Sequence, residues 1–252
     1  LHNEYLTVNS FRRNKGQLGS QGSTFLTPEN VNIPDEIDWR NLGAVSNVKD
    51  QRHCGSCYAF SAVASLEGQQ FRKSGRLTAL SEQNIVDCSH EYTFGCSGGT
   101  AKDTFRYIRE NGGIDTEESY PYIAYKQGCR YNNKTVGAHV TGHVELPTGD
   151  EQKLKEAVAV IGPVSVAIDA NQSGFRGYSE GIYCEEGCGN SLYYLSHEVV
   201  VVGYGTDVKT KQDYWLVKNS FGTRWGENGY IRMCRNKNNK CGIATDAIYP
   251  LV

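Results

Sequence analysis

The apolar positions in the first half of the chain recur at the spacing of helices with one buried face. The clearest helix is predicted over residues 57–72, and Gly75 is expected to end it. A second helix is predicted over residues 101–110, before a pair of glycines. A third is predicted to open on the capping-box spacing of Thr148 and Glu151 and to run to about residue 160.

In the second half the apolar residues form short runs, separated by Gly and by polar turns. β-Branched and aromatic residues dominate these runs, which is typical of buried strands. A chain that is mainly helical first and mainly strand afterwards indicates an α+β fold with two lobes. The predicted strands cover residues 164–168, 199–202, 214–217 and 230–233.

Residues 1–32 show neither the helical spacing of apolar residues nor the short apolar runs of strands. Polar stretches with Gly and Ser, such as residues 15–22, predict an extended segment. The chain opens on Leu1 and His2 and has no signal-peptide pattern, so we expect a processed or truncated product.

Composition excludes several classes of partner. Charged residues make up 21% of the 252 residues, and the net charge is -2. This near balance provides no polybasic surface for nucleic acid or anionic lipid. The sequence has no run of about 18 apolar residues, so no membrane-spanning helix is predicted. We therefore expect neither a nucleic-acid nor a membrane partner.

Nine cysteines are present, a high number for a reducing compartment. Since nine is odd, eight can pair and one is left as a thiol, either incidental or retained because it reacts. Cys54 and Cys57 also have the spacing of a zinc-ligand pair. No second pair at zinc-ribbon spacing is present, and we expect neither a metal nor a cofactor.

Cys57 stands at the predicted start of the first helix. A thiol at a helix N-terminus is close to the positive end of the helix dipole, which lowers its pKa and favours the thiolate. A thiolate is the attacking species in acyl transfer. A buried half-cystine is the alternative interpretation, but the odd count and the helix start favour a nucleophile.

A nucleophilic thiolate needs a proton-transfer partner, and His is the usual one near neutral or mildly acid pH. His197 precedes the apolar run of residues 199–202, where a His taken alone is more often structural. Asn219 follows a predicted strand, and its amide is a candidate partner for the second ring nitrogen.

These residues lie in a chain that resembles the papain family of cysteine proteases, and its cathepsin L-type members in particular. Cys-Gly-Ser-Cys-Tyr with a distant His and Asn is the family signature. The resemblance implies a papain-like α+β fold, with a helical N-terminal lobe, a β-barrel-like C-terminal lobe and the active-site cleft between them. It makes residues 1–32 the C-terminal tail of an inhibitory propeptide and residues 33–252 the peptidase domain. Matching stretches include residues 48–51, 80–84, 86–88, 96–99, 119–122, 162–167, 202–205, 225–230 and 241–244.

The resemblance also implies the roles of the site residues. Cys57 attacks the scissile carbonyl, while His197 protonates the leaving amine and then activates water. Asn219 holds the imidazole, and Gln51 meets the oxyanion together with the Cys57 backbone N–H. The alternative for Gln51 is a surface residue in a loop. Gly99 matches the residue whose backbone pairs with the substrate. Further substrate contacts are implied at Gly98, Ala101, Ala167, Leu195, Ser196, Glu198, Phe221, Trp225 and Asp246.

Three disulfides are implied by the resemblance, which leaves Cys184 and Cys234. We expect these two to form a fourth bridge, because each lies a few positions before one end of an implied bridge. The three implied bridges are Cys54–Cys96, Cys88–Cys129 and Cys188–Cys241.

Glycosylation sequons begin at Asn133 and Asn171 and are compatible with secretion.

Three residues depart from the family pattern. Tyr58 and Phe221 stand where Trp is common. Because Phe221 shields less area than a Trp would, a wetter and weaker pair of His197 and Asn219 is predicted. Glu198 follows the His where a small residue is usual. Asp246 matches the floor of the S2 pocket, whose walls match Ala101, Ala167 and Leu195. This predicts a roomy S2 pocket with Asp246 at its floor and Glu198 at its rim, which accepts basic P2 residues besides Leu or Phe. The alternative is that both carboxylates face solvent or form local hydrogen bonds.

The sequence therefore predicts a cysteine endopeptidase that acts on polypeptides through a Cys57 thioacyl-enzyme. The alternative is a catalytically weak or silent relative used for binding or templating, which the presence of Cys57 argues against. An exopeptidase normally needs an insertion that blocks the cleft, and we find none. We expect a lysosomal or secreted monomer, inhibited by its own propeptide and by proteins of the cystatin type.

Overall fold

The computed structural model describes residue 11, residues 23–26 and residues 31–252. Most of the segment predicted to be extended, residues 1–32, lies outside these described residues. The helices of the described part are α1 (Cys57–Ser74), α2 (Glu82–Cys88), α3 (Ala101–Asn111), α4 (Glu151–Val160) and α5 (Ser173–Arg176). The strands are β1 (Ser23–Thr24), β2 (Ile37–Asp38), β3 (Ile114–Asp115), β4 (Val136–Ala138), β5 (Gly142–Glu145), β6 (Val164–Ile168), β7 (Ile182–Tyr183), β8 (His197–Thr206), β9 (Asp213–Lys218), β10 (Tyr230–Cys234) and β11 (Ala247–Leu251).

The predicted helices are present, with one correction to their boundaries. Gly75 ends α1 and Gly112 ends α3, both in the left-handed region with φ of 72° and 79°. The capping-box prediction at Thr148 is wrong. The N-cap of α4 is Asp150, whose carboxylate accepts the Lys153 backbone N–H at 2.9 Å.

Helix α2 was not predicted from the sequence. It has only seven residues, and polar residues such as Glu82 and Asn84 are buried within it, so it carries no apolar stripe. Its cap follows the usual rule, because the Ser81 hydroxyl accepts the Asn84 backbone N–H at 2.9 Å.

The predicted strands belong to one large mixed sheet. Its order is β1-β5-β11-β6-β8-β9-β10-β7, and β2 pairs with β8. The long strand β8 lies between β6 and β9 and is antiparallel to both. Strands β3 and β4 form a separate antiparallel pair.

Two apolar cores lie in two lobes. Residues of α1, α2 and α3, such as Leu66, Ile85 and Phe105, form the smaller core. The large sheet and α4 enclose the larger one, with Leu154 and Trp215 fully buried. Helix α1 packs against β8, so its N-terminus and the start of β8 meet where the lobes join. No described helix is both long and apolar enough to cross a membrane.

Eight of the nine cysteines form disulfides, with the pairings expected from the sequence. Cys57 stays outside them. Because Cys54 is in a disulfide, it cannot act with Cys57 as a zinc-ligand pair. Within the described ranges, no group of three or more His, Cys, Asp or Glu side chains is placed to hold a metal ion. The bridges are Cys54–Cys96, Cys88–Cys129, Cys184–Cys234 and Cys188–Cys241.

Candidate active site

Cys57 is the first residue of α1, and its side chain is buried where the two lobes meet. The backbone ahead of it is fixed, because Cys54 is bonded to Cys96 and the Gly55 N–H donates to the Cys96 carbonyl at 2.8 Å. The backbone N–H of Glu198 donates to Cys57 Sγ at 3.4 Å. This donor and the positive end of the helix dipole both favour a thiolate.

His197 opens β8, immediately before the residue whose N–H reaches the Cys57 sulfur. Its Nε2 lies 2.8 Å from Asn219 Oδ1, which also accepts the Ser220 N–H at 2.8 Å. Since Nε2 is held by Asn219, Nδ1 is the ring nitrogen left for proton transfer. Nδ1 is buried and makes no hydrogen bond within the described ranges.

The protonation of His197 follows from its surroundings. Burial lowers the pKa of His197 to about 4, although the hydrogen bond with Asn219 opposes this shift. The ring is therefore a neutral base over most of the physiological range. Because an isolated imidazolium is disfavoured at this buried position, the proton is best accommodated when a thiolate forms beside it.

Aromatic side chains cover the His197–Asn219 pair. Phe221 stacks on the His197 ring with centroids 4.9 Å apart and an interplanar angle of 30°. Phe175 contacts the same ring edge-on at 5.8 Å, and Trp225 packs against Phe221 at 5.6 Å. His197 is 0% exposed and Asn219 4%. The expectation of a wetter pair is thus wrong, because Phe175 and Trp225 complete the shield that Phe221 begins.

Gln51 lies beside this pair and is 1% exposed, which excludes the alternative of a surface loop residue. Its Oε1 accepts the Ser220 hydroxyl at 2.6 Å, and its Nε2 donates to the Cys54 carbonyl at 3.0 Å.

Two residues that support this arrangement were missed by the sequence analysis. Ser220 orients the Gln51 amide, and Tyr122 donates to the Gln51 backbone carbonyl at 2.9 Å. Tyr122 also shares a 2.7 Å hydrogen bond with the Ser56 hydroxyl, next to Cys57. Ser220 could have been suspected from its place beside Asn219. Tyr122 stands in the matching stretch 119–122, but nothing in that stretch indicated a contact with the site, which it reaches only through the fold.

The residues expected to form the S2 pocket are brought together around Ala101 and Ala167. The Ala101 N–H is 3.1 Å and 3.0 Å from the two carboxylate oxygens of Glu198, and Ala167 is paired with Glu198 across β6 and β8. The Ala167 N–H donates to the Asp246 carbonyl at 3.0 Å. Leu195 packs close to Gly242 on the same side.

The two acids in this region differ in their surroundings. Glu198 is 4% exposed, and its carboxylate is engaged by the first amide of α3. The prediction that it lies at the rim of the pocket is therefore wrong, because the helix N-terminus draws the charge inward. Asp246 is half-buried, in the turn before β11.

The backbone of Gly98 and Gly99 forms the opposite wall. A Cβ at Gly99 would lie 2.9 Å from the Tyr58 ring and from Thr93, so only Gly fits there. Phe11 forms a parallel β-bridge with Gly99, and its N–H donates to the Ser196 carbonyl at 3.3 Å. The N-terminal segment thus contacts both walls of the candidate site.

The Asn residues of both sequons lie on the surface. Asn133 is exposed in the turn before β4. Asn171 is also exposed, but its Nδ2 donates to Asp169 Oδ1 at 3.0 Å.

Comparisons with known proteins agree with this geometry. Residues 33–251 match the model of the papain family cysteine proteases. Cathepsin L of Sarcophaga peregrina is 55% identical over all of this chain and 76% of its own length. Digestive cysteine proteinase 1 of Homarus americanus is 53% identical over 91% of this chain and 70% of its own.

A solved structure, digestive procathepsin L 3 from the larval midgut of Tenebrio molitor, superposes with a TM-score of 0.88. It is 43% identical, and the match covers 98% of this chain and 77% of that one. The predicted α+β fold with two lobes is therefore confirmed. The chain belongs to the papain family of cysteine proteases, and its relatives include proteins named cathepsin L.

Proposed function

We propose that this protein hydrolyses peptide bonds through a thioacyl-enzyme formed on Cys57, with His197, Asn219 and Gln51 in the roles expected from the sequence. The observation that carries the proposal is their joint placement. Cys57 begins a helix, its sulfur accepts the N–H of the residue after His197, and His197 is held by Asn219 at 2.8 Å.

The geometry supports the following sequence of steps. His197 takes the thiol proton, and the Cys57 thiolate forms a bond to the scissile carbonyl carbon. The oxyanion is met by the Gln51 amide and by the Cys57 N–H at the start of α1. As the C–N bond breaks, His197 gives its proton to the leaving amine. A water then loses a proton to His197 and attacks the thioester, which releases the acid and restores the thiol.

Labelling by the epoxide inhibitor E-64 tests this function directly. We expect intact-mass analysis to find one label per chain, on the peptide that contains Cys57, because the other eight cysteines are in disulfides. Peptides blocked at both ends separate endopeptidase from exopeptidase action. The absence of both labelling and cleavage would favour the silent-relative alternative.

For the specificity of the S2 pocket, we infer that Asp246 is the acid that a basic P2 side chain meets. Glu198 is buried and its carboxylate is engaged by the Ala101 N–H, whereas Asp246 is half-buried behind Ala167. Its charge at the end of an otherwise apolar pocket would attract Arg or Lys, while Leu or Phe would contact the walls.

Replacing Asp246 by Ala is expected to lower the ratio of kcat/KM for P2 Arg over P2 Leu by about 10- to 100-fold, the value of a charged hydrogen bond. A substrate library that varies only P2 measures this ratio. Glu180→Ala, which removes an exposed carboxylate, is the matched control and should leave the ratio unchanged. The same ratio in Asp246→Ala and in the parent would contradict the proposal.

We also propose that residues 1–32 are the tail of a propeptide and that this tail enters the cleft at Phe11. Support comes from Phe11, whose backbone bridges Gly99 and donates to Ser196. A substrate that pairs with Gly99 would compete for the same backbone groups.

Removing residues 1–32 from the folded protein is therefore expected to raise kcat/KM on a small fluorogenic peptide by about 10-fold or more, since the open cleft is then always available. A titration with E-64 before and after trimming corrects for the amount of active enzyme. Equal kcat/KM in both forms would exclude this role for the segment.

The remaining proposals concern partners and location. We propose that the protein acts as a monomer on polypeptides and is inhibited by cystatin-type proteins that enter the same cleft. A lysosomal or secreted, digestive location is supported by four disulfides and by relatives named cathepsin L and digestive cysteine proteinase.

A further inference from the structure

Strand β1 attaches the N-terminal segment to the C-terminal lobe at a second point, outside the cleft. Ser23 and Thr24 pair in parallel with Val144 and Glu145 of β5. The Phe25 N–H continues the ladder by donating to the Glu145 carbonyl at 3.3 Å. Because β1 is the outermost strand of the sheet, β5 would be an open edge without it.

The side chain of Phe25 enters the larger core. It is 4% exposed and meets the Tyr249 ring edge-on, with centroids 6.4 Å apart. Its neighbours stay outside, since Ser23 and Thr24 are exposed and Leu26 is 82% exposed. The Phe25 side chain thus fills a pocket in the larger core, called the socket below, while the backbone of β1 covers the edge of β5.

The two attachment points of the segment lie near the same end of α3. Gly99, which pairs with Phe11, stands two residues before that helix begins. Lys102 in its first turn forms an ion pair with Glu145 of β5 at 2.6 Å. Two modest attachments on one segment reinforce each other, because when one is made the other becomes intramolecular.

We propose that β1 and Phe25 are a second anchor, which keeps the segment bound to the enzyme after the chain is cut between residues 26 and 33. Cleavage alone then does not clear the cleft, because the freed segment still has to leave the socket. This inference rests on the proposal that the segment occupies the cleft. The occupant is the segment itself, whose own residues fill the socket and cover the edge of β5.

The test uses the full chain with a recognition sequence for an unrelated site-specific protease inserted after Asn32. Cys57→Ser in the same chain prevents self-cleavage. After cutting, gel filtration with intact-mass analysis follows how fast the segment is lost. We expect retention in the parent and in Leu26→Ala, the matched control. In Phe25→Ala the loss should be roughly 10- to 100-fold faster, the change given by exposing one Phe side chain.

Phe25→Leu keeps an apolar side chain in the socket, and its loss rate should lie between those of the parent and Phe25→Ala. If Phe25→Ala does not fold, the loss rate of Phe25→Leu tests the second anchor in its place. Equal loss rates for the Phe25 and Leu26 variants would overturn the second anchor, as would immediate loss from the parent. The readout is binding, so it is independent of peptide hydrolysis, which E-64 labelling tests, and of cleft occupation, which the activity of the trimmed enzyme tests.

Discussion

Cys57→Ser is expected to lower kcat/KM for peptide hydrolysis by at least about 1000-fold while the protein stays folded. The site provides a helix N-terminus and the Glu198 N–H for a charged sulfur. A serine hydroxyl is a far weaker acid than a thiol and gains little from these donors. His197 cannot compensate, because burial lowers its pKa to about 4 and makes it a weak base.

The measurement is steady-state kinetics on a blocked peptide, with circular dichroism to check the fold. Ser56→Ala is a suitable control, since this buried neighbour bonds Tyr122 and not the reacting sulfur. Its effect should stay within a few-fold, the value of one neutral hydrogen bond. Activity of Cys57→Ser within tenfold of the parent would mean that another group is the nucleophile.

The catalytic residues could be predicted because each stands at a boundary that the sequence itself marks. Cys57 begins a helix, His197 begins the longest strand, and Asn219 follows the next one. These boundaries are set by local periodicity and turn residues, which a single sequence displays. The odd number of cysteines added an independent reason to select Cys57.

The surroundings of the site could not be predicted in the same way. Phe221 seemed an incomplete shield until Phe175 and Trp225 were seen beside it. Glu198 seemed available to a substrate, but the fold places its carboxylate against the first N–H of α3. Tyr122 acts from a distant loop. Such contacts depend on which elements pack together, and neither spacing nor composition contains that information.

The same limit applies to a buried ionic cluster between the lobes, for which the sequence gave no sign. Lys49 Nζ is 2.8 Å from Glu82 on α2 and 3.8 Å from Glu67 on α1, and both carboxylates are at least 98% buried. Ser46 links Glu67 to Lys218, the residue before Asn219. The cluster therefore connects the helical lobe to the strand that positions the Asn of the active site.

Charge balance holds this cluster together. Burial by itself would lower the pKa of Lys49, but the carboxylates of Glu82, Glu67 and Glu117 raise it well above its usual range. For Glu82, burial raises the pKa, and the attraction of Lys49 opposes the shift. The lysine thus stays charged, and it offsets the desolvation of the acids around it.

Lys49→Met is expected to destabilise the protein by about 3–5 kcal/mol, because it leaves buried carboxylates without their cation. Urea unfolding followed by tryptophan fluorescence measures the loss. Lys153→Met removes the lysine of a partly exposed ion pair with Glu156 and should cost less than about 1 kcal/mol. Similar losses in the two variants would show that the buried cluster contributes no more than a surface pair.

A dependence on pH separates charge from packing in Lys49→Met. Without the lysine, the pKa of Glu82 is raised still further in the folded state, so the folded protein binds a proton that the unfolded chain releases above pH of about 4.3. Because the pKa of Glu82 is already raised to about 8 in the parent, both folded proteins keep this proton up to about that pH, and the variant should fall further behind the parent only as the pH rises above about 8. Adding Glu82→Gln should flatten this dependence and recover part of the stability above pH of about 8. A loss that is the same at every pH would assign the effect of Lys49 to packing instead.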